Sequence, residues 1–238
     1  MGSDWLSEFE RGIRAGVPMM LGYIPIALIL GVTASQVGLA PLEAGFLAGA
    51  NYAGGSEFAA LSLWSAVPPV FAIAVTTWLV NSRHIMLGAA LTPYIAHLPL
   101  PKALGCLYIM TDESWAIEMA DIFERRKAGA AAESLFSVPF YLGVSVLLWV
   151  SWWASAIIGC TASGMIGDLS SWGIRAAFPA LFITLVAMMW PGAKKCLPVA
   201  ASAAASAGLS LVLSLPAAIL AGIVVGLVAA YFSEAADA

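Results

Sequence analysis

Long apolar runs with short polar interruptions dominate the chain. They extend from about Val17 to Gln36, Leu42 to Trp64, Pro68 to Leu91, Ala103 to Ala120, Phe136 to Ile158, Ile174 to Trp190, Leu197 to Leu213 and Pro216 to Phe232. Most approach the ~20 residues that an α-helix needs to cross hydrocarbon. They are continuous, whereas a membrane β-barrel alternates apolar and polar positions over segments of about ten residues. The pattern predicts an all-α, polytopic transmembrane helix bundle of eight spans. Seven result if the last pair is one crossing plus a re-entrant piece. Residues 1–238 read as one transmembrane domain, with a first half at 14–121 and a second at 134–232.

Composition strengthens this reading. The chain is 61% hydrophobic and 10% charged, against about 25% charged in soluble domains. The net charge is −4 and no basic run suggests nucleic acid. Cys106, Cys160 and Cys196 are widely spaced and read as packing residues. The first apolar run is followed by many more, so it reads as an anchor, not a cleavable signal. Arg11 and Arg14 precede the first span, Arg125 to Lys127 follow the fourth, and Lys194 and Lys195 follow the sixth. With eight spans these clusters share one side, expected to be cytoplasmic along with both termini. The segments 38–41 and 159–171 lack Lys and Arg, as outward loops should.

Val17-Pro18-Met19-Met20-Leu21-Gly22 and Val138-Pro139-Phe140-Tyr141-Leu142-Gly143 echo one another at the starts of spans one and five. A parallel repeat of four plus four helices, with broken helices and a site between halves, would produce such an echo. Prolines such as Pro18, Pro25 and Pro93 read as geometry. Trp149, Trp152 and Trp153 read as an outward interfacial belt.

The ionisable residues inside the apolar runs concentrate in the first half: Glu57, Arg83, His84, Asp112 and Glu113. A charge at the bilayer centre costs about 2.5–3.5 kcal/mol even on the gentler insertion scale, so these residues are expected to pair or face a polar path. Thr77, Asn81 and His84 recur at helical spacing, with Thr76 and Arg83 on a neighbouring stripe. They suit either a pathway or interhelical hydrogen bonding. Gly54 and Gly55 permit close packing or a helix break. A break would leave backbone N–H groups facing a gap lined by Asn51, Ser56 and Glu57. Thr111-Asp112-Glu113 resembles a second helix start, and Asp112 suits pairing with Arg83. Glu57, Glu113, His84 and Asp112 are the candidates for proton coupling. Glu118 and Asp121 read as solvated residues near a helix end.

There is no nucleotide-binding loop and no HExxH, so neither enzyme activity nor a cofactor is expected. A channel, an assembly subunit, or a membrane enzyme that uses His84 with Asp112 and Glu113, with or without a metal, are the rival readings. The charges cluster at mid-depth instead of continuing along a pore, which favours a closed site over a channel.

Four ordered motifs resemble the AzlC family, the large subunits of bacterial branched-chain amino acid exporters. Gly16-Val17-Pro18 with Gly22-Tyr23-Ile24-Pro25 and Gly31 looks like the family's opening. Tyr52-Ala53-Gly54-Gly55-Ser56-Glu57-Phe58 is similar to its F-A-G-A-S-Q-F segment. Asn81-Ser82-Arg83-His84 matches N-x-R-H, and Thr111-Asp112-Glu113-Ser114-Trp115-Ala116 matches T-D-E-x-[FW]-A. The resemblance covers residues 11–195. It implies proton-driven export of a hydrophobic amino acid across the bacterial inner membrane with a small AzlD-type membrane partner. On that reading Tyr23, Asn51, Gly54, Gly55, Ser56, Glu57, Phe58, Asn81, Arg83 and Asp112 bind substrate. The apolar surroundings of Tyr23 and Phe58 take the side chain. Glu57 departs from the family's usual Gln and opens the possibility of a more cationic substrate or different coupling.

Overall fold

The computed structural model describes residues 2–166, 196–213 and 215–237. The expected sixth span and the Lys194–Lys195 loop lie outside the described residues. All described elements are helical, and the chain divides into two units, residues 1–174 and 175–238.

In the first unit, α1 (Gly2–Gln36) and α8 (Val138–Ile166) form an unbroken pair. They run parallel. Glu8 meets Ser137 near one end, and Ser35 meets Ser163 near the other, with hydroxyl oxygens 2.7 Å apart. Their backbones touch through small residues. A Cβ on Gly31 would fall 1.9 Å from the Ala156 carbonyl oxygen, and one on Gly143 would fall 2.2 Å from that of Phe9. Along α8, Phe140, Val144, Leu148, Trp152, Ala156 and Cys160 recur every fourth residue and are all buried against α1 and its neighbours. Such an i, i+4 row is one face of a helix. Pro18 and Pro25 lie within α1 without ending it.

Between these two helices the chain breaks repeatedly: α2 (Pro41–Asn51), α3 (Gly55–Ser62), α4 (Val70–Asn81), α5 (Arg83–Ile95), α6 (Leu100–Tyr108) and α7 (Asp112–Lys127). Among the described residues, three stretches are long and apolar enough to cross a membrane: Asp4–Gln36, Val70–Ile95 and Ala132–Gly164. The middle one is α4 and α5 together, interrupted only at Ser82, which keeps helical angles.

The contacts give the path. Leu39, between α1 and α2, meets Cys160, so α2 starts at the end where α1 and α8 finish. At the opposite end, α5 finishes with the Tyr94 hydroxyl accepting from Arg126 at 3.0 Å. The α4–α5 helix therefore begins where α2 begins, and residues 41–69 leave and return to the same end. Likewise α6 runs back along α5, with Leu107 facing Gly88, and α7 returns to the end α6 left, where Arg125 meets Glu8. The runs expected as spans two and four are thus re-entrant excursions, not crossings. Apolar length alone does not reveal a reversal inside a run.

Arg11 and Arg125 belong to one cluster, so two of the three basic groups share an end, as expected. There Arg11 binds Asp121 at 2.6 Å and Glu8 at 2.9 Å. Arg125 binds Asp121 at 2.6 Å and also Glu8. The expected outward loop at 159–171 is helical as far as Ile166. In the second unit, α9 (Leu197–Leu209) and α10 (Leu215–Asp237) form an antiparallel hairpin, with Gly222 against Ser206 and Gly226 against Ser202.

Candidate functional site

The first break follows α2. Tyr52 takes left-handed angles, φ 44° and ψ 51°, a conformation costing about 1–3 kcal/mol for a residue with a side chain. Gly54 follows at φ 34°, where a Cβ would also lie 3.4 Å from the Trp152 ring. A glycine is the residue that tolerates both conditions. The break leaves N–H groups without helical partners. Glu57, in the first turn of α3 and fully buried, turns back to accept the Ala53 N–H at 3.1 Å. Its other oxygen accepts the Trp152 indole N–H at 2.9 Å.

The second interruption is at Ser82. Asn81 donates its side-chain amide to Asn51 at 3.4 Å, and Asn51 donates to the Ser56 hydroxyl at 2.7 Å. The His84 Nδ1 lies 3.2 Å from the Asn81 carbonyl oxygen. Arg83 opens α5 and pairs with Asp112 at 3.1 Å, the pairing anticipated from the sequence. The Arg83 Nε and the Asn81 Oδ1 are buried without a hydrogen-bond partner. They offer one donor and one acceptor two positions apart in the chain.

The third break, between α6 and α7, ends in a reciprocal cap. The Thr111 hydroxyl accepts the Ser114 N–H at 3.3 Å, and the Ser114 hydroxyl accepts the Thr111 N–H at 2.9 Å. This arrangement satisfies two groups that a helix start exposes. It sets Asp112 toward Arg83 and buries Glu113, which accepts a hydrogen bond from the Tyr23 hydroxyl of α1. The Tyr23 ring meets Trp152 edge-on at 5.3 Å.

All three interruptions therefore meet. Asn81, Asn51 and Ser56 form one hydrogen-bonded string, and the Arg83–Asp112 pair begins two residues on from Asn81. Glu57 and Glu113, the chain neighbours of Ser56 and Asp112, are held by Trp152 and Tyr23. Gly54 and Gly55 form the α3 start, and Phe58 is half-buried against the α1–α8 core. Tyr23 presents its hydroxyl to Glu113 as well as its ring to the core. Among the described residues, no group of three or more His, Cys, Asp or Glu side chains is placed to hold a metal.

Two expectations are corrected. Glu118 and Asp121 are not solvated: Glu118 is fully buried, and Asp121 is clamped between Arg11 and Arg125. Trp152 and Trp149 do not form an interfacial belt. Trp149 donates to the Gly49 carbonyl at 2.9 Å and Trp152 to Glu57, while Trp153 is part-exposed. The sequence does carry a signal for Trp152, which falls on the every-fourth-residue row of buried positions in α8. Tyr52, which the sequence marks only as part of its motif, supplies the left-handed turn and a buried hydroxyl without a hydrogen-bond partner.

The sequence model of the AzlC protein family matches residues 18–166, which run from the middle of α1 to the end of α8 and include all three interruptions. The inner membrane protein YgaZ of Escherichia coli K12 is 29% identical over 184 residues, covering 76% of this chain and 72% of that protein. An uncharacterized membrane protein of Archaeoglobus fulgidus is 26% identical over 181 residues, covering 76% and 72%. One of Helicobacter pylori J99 is 24% identical over 195 residues, covering 76% and 75%. No solved structure matches. With the family match spanning most of the chain and all three interruptions, this membrane protein, helical in its described elements, belongs to the AzlC family.

Proposed function

We propose that the protein is an inner-membrane secondary transporter that exports branched-chain or related amino acids, coupled to protons and working with a small AzlD-type membrane subunit. The observation that carries this reading is the meeting of three helix interruptions around Arg83 and Asp112. An amino acid presents a carboxylate and an ammonium about two bonds apart. Arg83, bound to Asp112 and with its Nε unused, suits the carboxylate. The unused Asn81 Oδ1 and the Asp112 carboxylate suit the ammonium. Substrate and Asp112 then compete for one guanidinium, which provides a switch between loaded and empty states. Glu113, held by Tyr23, takes the coupling proton. Glu57 is already engaged by Ala53 and Trp152, so it shapes the break and selects substrate through that geometry.

The test is uptake of labelled leucine, valine, methionine and lysine into everted vesicles, with and without a pH gradient, for the chain alone and with its partner. Gradient-dependent leucine or valine uptake that disappears in Arg83→Ala is the expected result. Correctly inserted protein that moves none of the four under any condition would sink the proposal.

A further inference from the structure

Glu118 takes no part in the site just described, yet it is fully buried and neither of its carboxyl oxygens has a hydrogen-bond partner. Buried charge without a partner is costly, and an isolated carboxyl group avoids that cost by holding a proton. Its position has a pattern. Ser114, Glu118, Asp121 and Arg125 recur at spacings of four, three and four along one face of α7. At about 1.5 Å of rise per residue, Glu118 stands roughly midway along the ~12 Å between Glu113 and Asp121. The groups facing it are Asp121 and Arg125 on its own helix, Arg11 on α1, Cys106 on α6, and Tyr141 and the Ser137 backbone at the start of α8. Tyr141 lies beside Ser114 and Ser145, and its hydroxyl donates to the Cys106 carbonyl at 2.8 Å. The Ser145 hydroxyl is buried and also lacks a partner.

A line of hydroxyl and carboxyl groups thus joins the third break to the charged cluster, where the Arg11 side chain is 42% exposed. We propose that Glu118 relays the coupling proton between the Glu113–Tyr23 pair and the cluster at the basic end of the bundle. The inference rests on the proton-coupled exporter reading. In one turn, Glu113 gives up a proton, and the Thr111, Ser114 and Tyr141 hydroxyls, which adjoin in that order, each accept one and release one. Glu118, protonated at rest, has first released its own proton to water at the cluster and is reloaded by this one. Glu113, left as the anion, takes its next proton from the side of the transport path, so one proton crosses per turn and every group is again as it began. Arg11 and Arg125 stabilise the Glu118 anion during the interval between release and reloading.

The full chain in liposomes, with its small partner, separates the possibilities. Leucine counterflow at equal pH needs no net proton movement, whereas leucine accumulation against a gradient does. Glu118→Gln is expected to keep counterflow within about twofold of wild type while accumulation falls about tenfold or more. Glu118→Asp, which keeps the carboxyl group, is expected to restore much of the accumulation. If Glu118→Gln accumulates leucine as wild type does, the relay is overturned and the exporter reading stands. If Glu118→Gln also loses counterflow and Glu118→Asp recovers neither, Glu118 is a packing residue and the relay is again overturned. A wild-type protein without counterflow or accumulation overturns both readings.

Discussion

Helices α1 and α8 run unbroken for 35 and 29 residues, whereas the chain between them is interrupted at Tyr52–Gly54, Ser82 and Ile109–Thr111. The first region holds together by close approach of backbones, with few polar side chains buried between its helices. In lipid there is no hydrophobic drive between helices, and small residues that allow such contact supply the packing. The second region gives up helical hydrogen bonds and replaces them with Glu57 on Ala53, Ser114 on Thr111 and Asn81 on Asn51. One region is a frame and the other a polar site mounted on it, with Trp152 and Tyr23 reaching from frame to site.

The largest effect should come from breaking the frame. Gly31→Leu drives a side chain into the Ala156 backbone, where even a Cβ would fall 1.9 Å from the carbonyl oxygen. The cost should exceed the ~1–3 kcal/mol typical of overpacked cores, whose side chains can still shift, and part the two helices. Loss of folded, monodisperse protein on size exclusion in detergent is expected. A variant melting within about 2 °C of wild type would show that the α1–α8 contact does not hold the frame.

In the site, the expected damage separates stability from transport. Arg83→Ala leaves Asp112 unpaired, and breaking a buried pair costs about 3–5 kcal/mol. The 27% exposure of the Arg83 side chain moves this toward the lower figure. Arg83→Ala with Asp112→Asn should recover most of the melting temperature and none of the transport. If the double variant melts no higher than Arg83→Ala, the pair is not an isolated unit.

The smallest effect belongs to the cluster that ties α7 to the frame. Burial acts to raise the Asp121 carboxyl, and hydrogen bonds from Arg11 and Arg125 outweigh it, holding it below its ordinary 3.8. A group with a depressed folded value stabilises the protein above its unfolded value, about pH 4, and loses that contribution as pH falls through the folded value. Melting temperature measured from pH 6 to pH 3 should therefore fall less steeply in Asp121→Asn than in wild type. Equal slopes would remove Asp121 from the account of acid sensitivity.

The site was more legible in the sequence than the path of the chain. Glu57, Arg83, Asp112 and Glu113 are too costly in lipid to go unpaired, and Gly54 and Thr111 mark possible helix starts. Those local rules place the breaks. They do not say whether a broken run continues across the membrane or turns back, because both outcomes use the same apolar residues. That choice depends on contacts such as Tyr94 with Arg126 and Leu39 with Cys160, between residues far apart in sequence. Glu118 escaped for a similar reason: near the end of an apolar run it reads as solvated until α1, α6 and α8 close around it.

The lengths of the two frame helices have a mechanical consequence. At about 1.5 Å per residue, α1 measures roughly 52 Å and α8 roughly 44 Å, while the hydrocarbon layer is about 30 Å thick. Both rods must lean or protrude, and because their backbones touch they lean together. The shorter pieces, such as the eight-residue α3, have no independent hold on the bilayer and follow the pair. A thinner membrane tilts the paired rods further, and lipid chain length thereby sets the depth at which Arg83 and Glu113 sit.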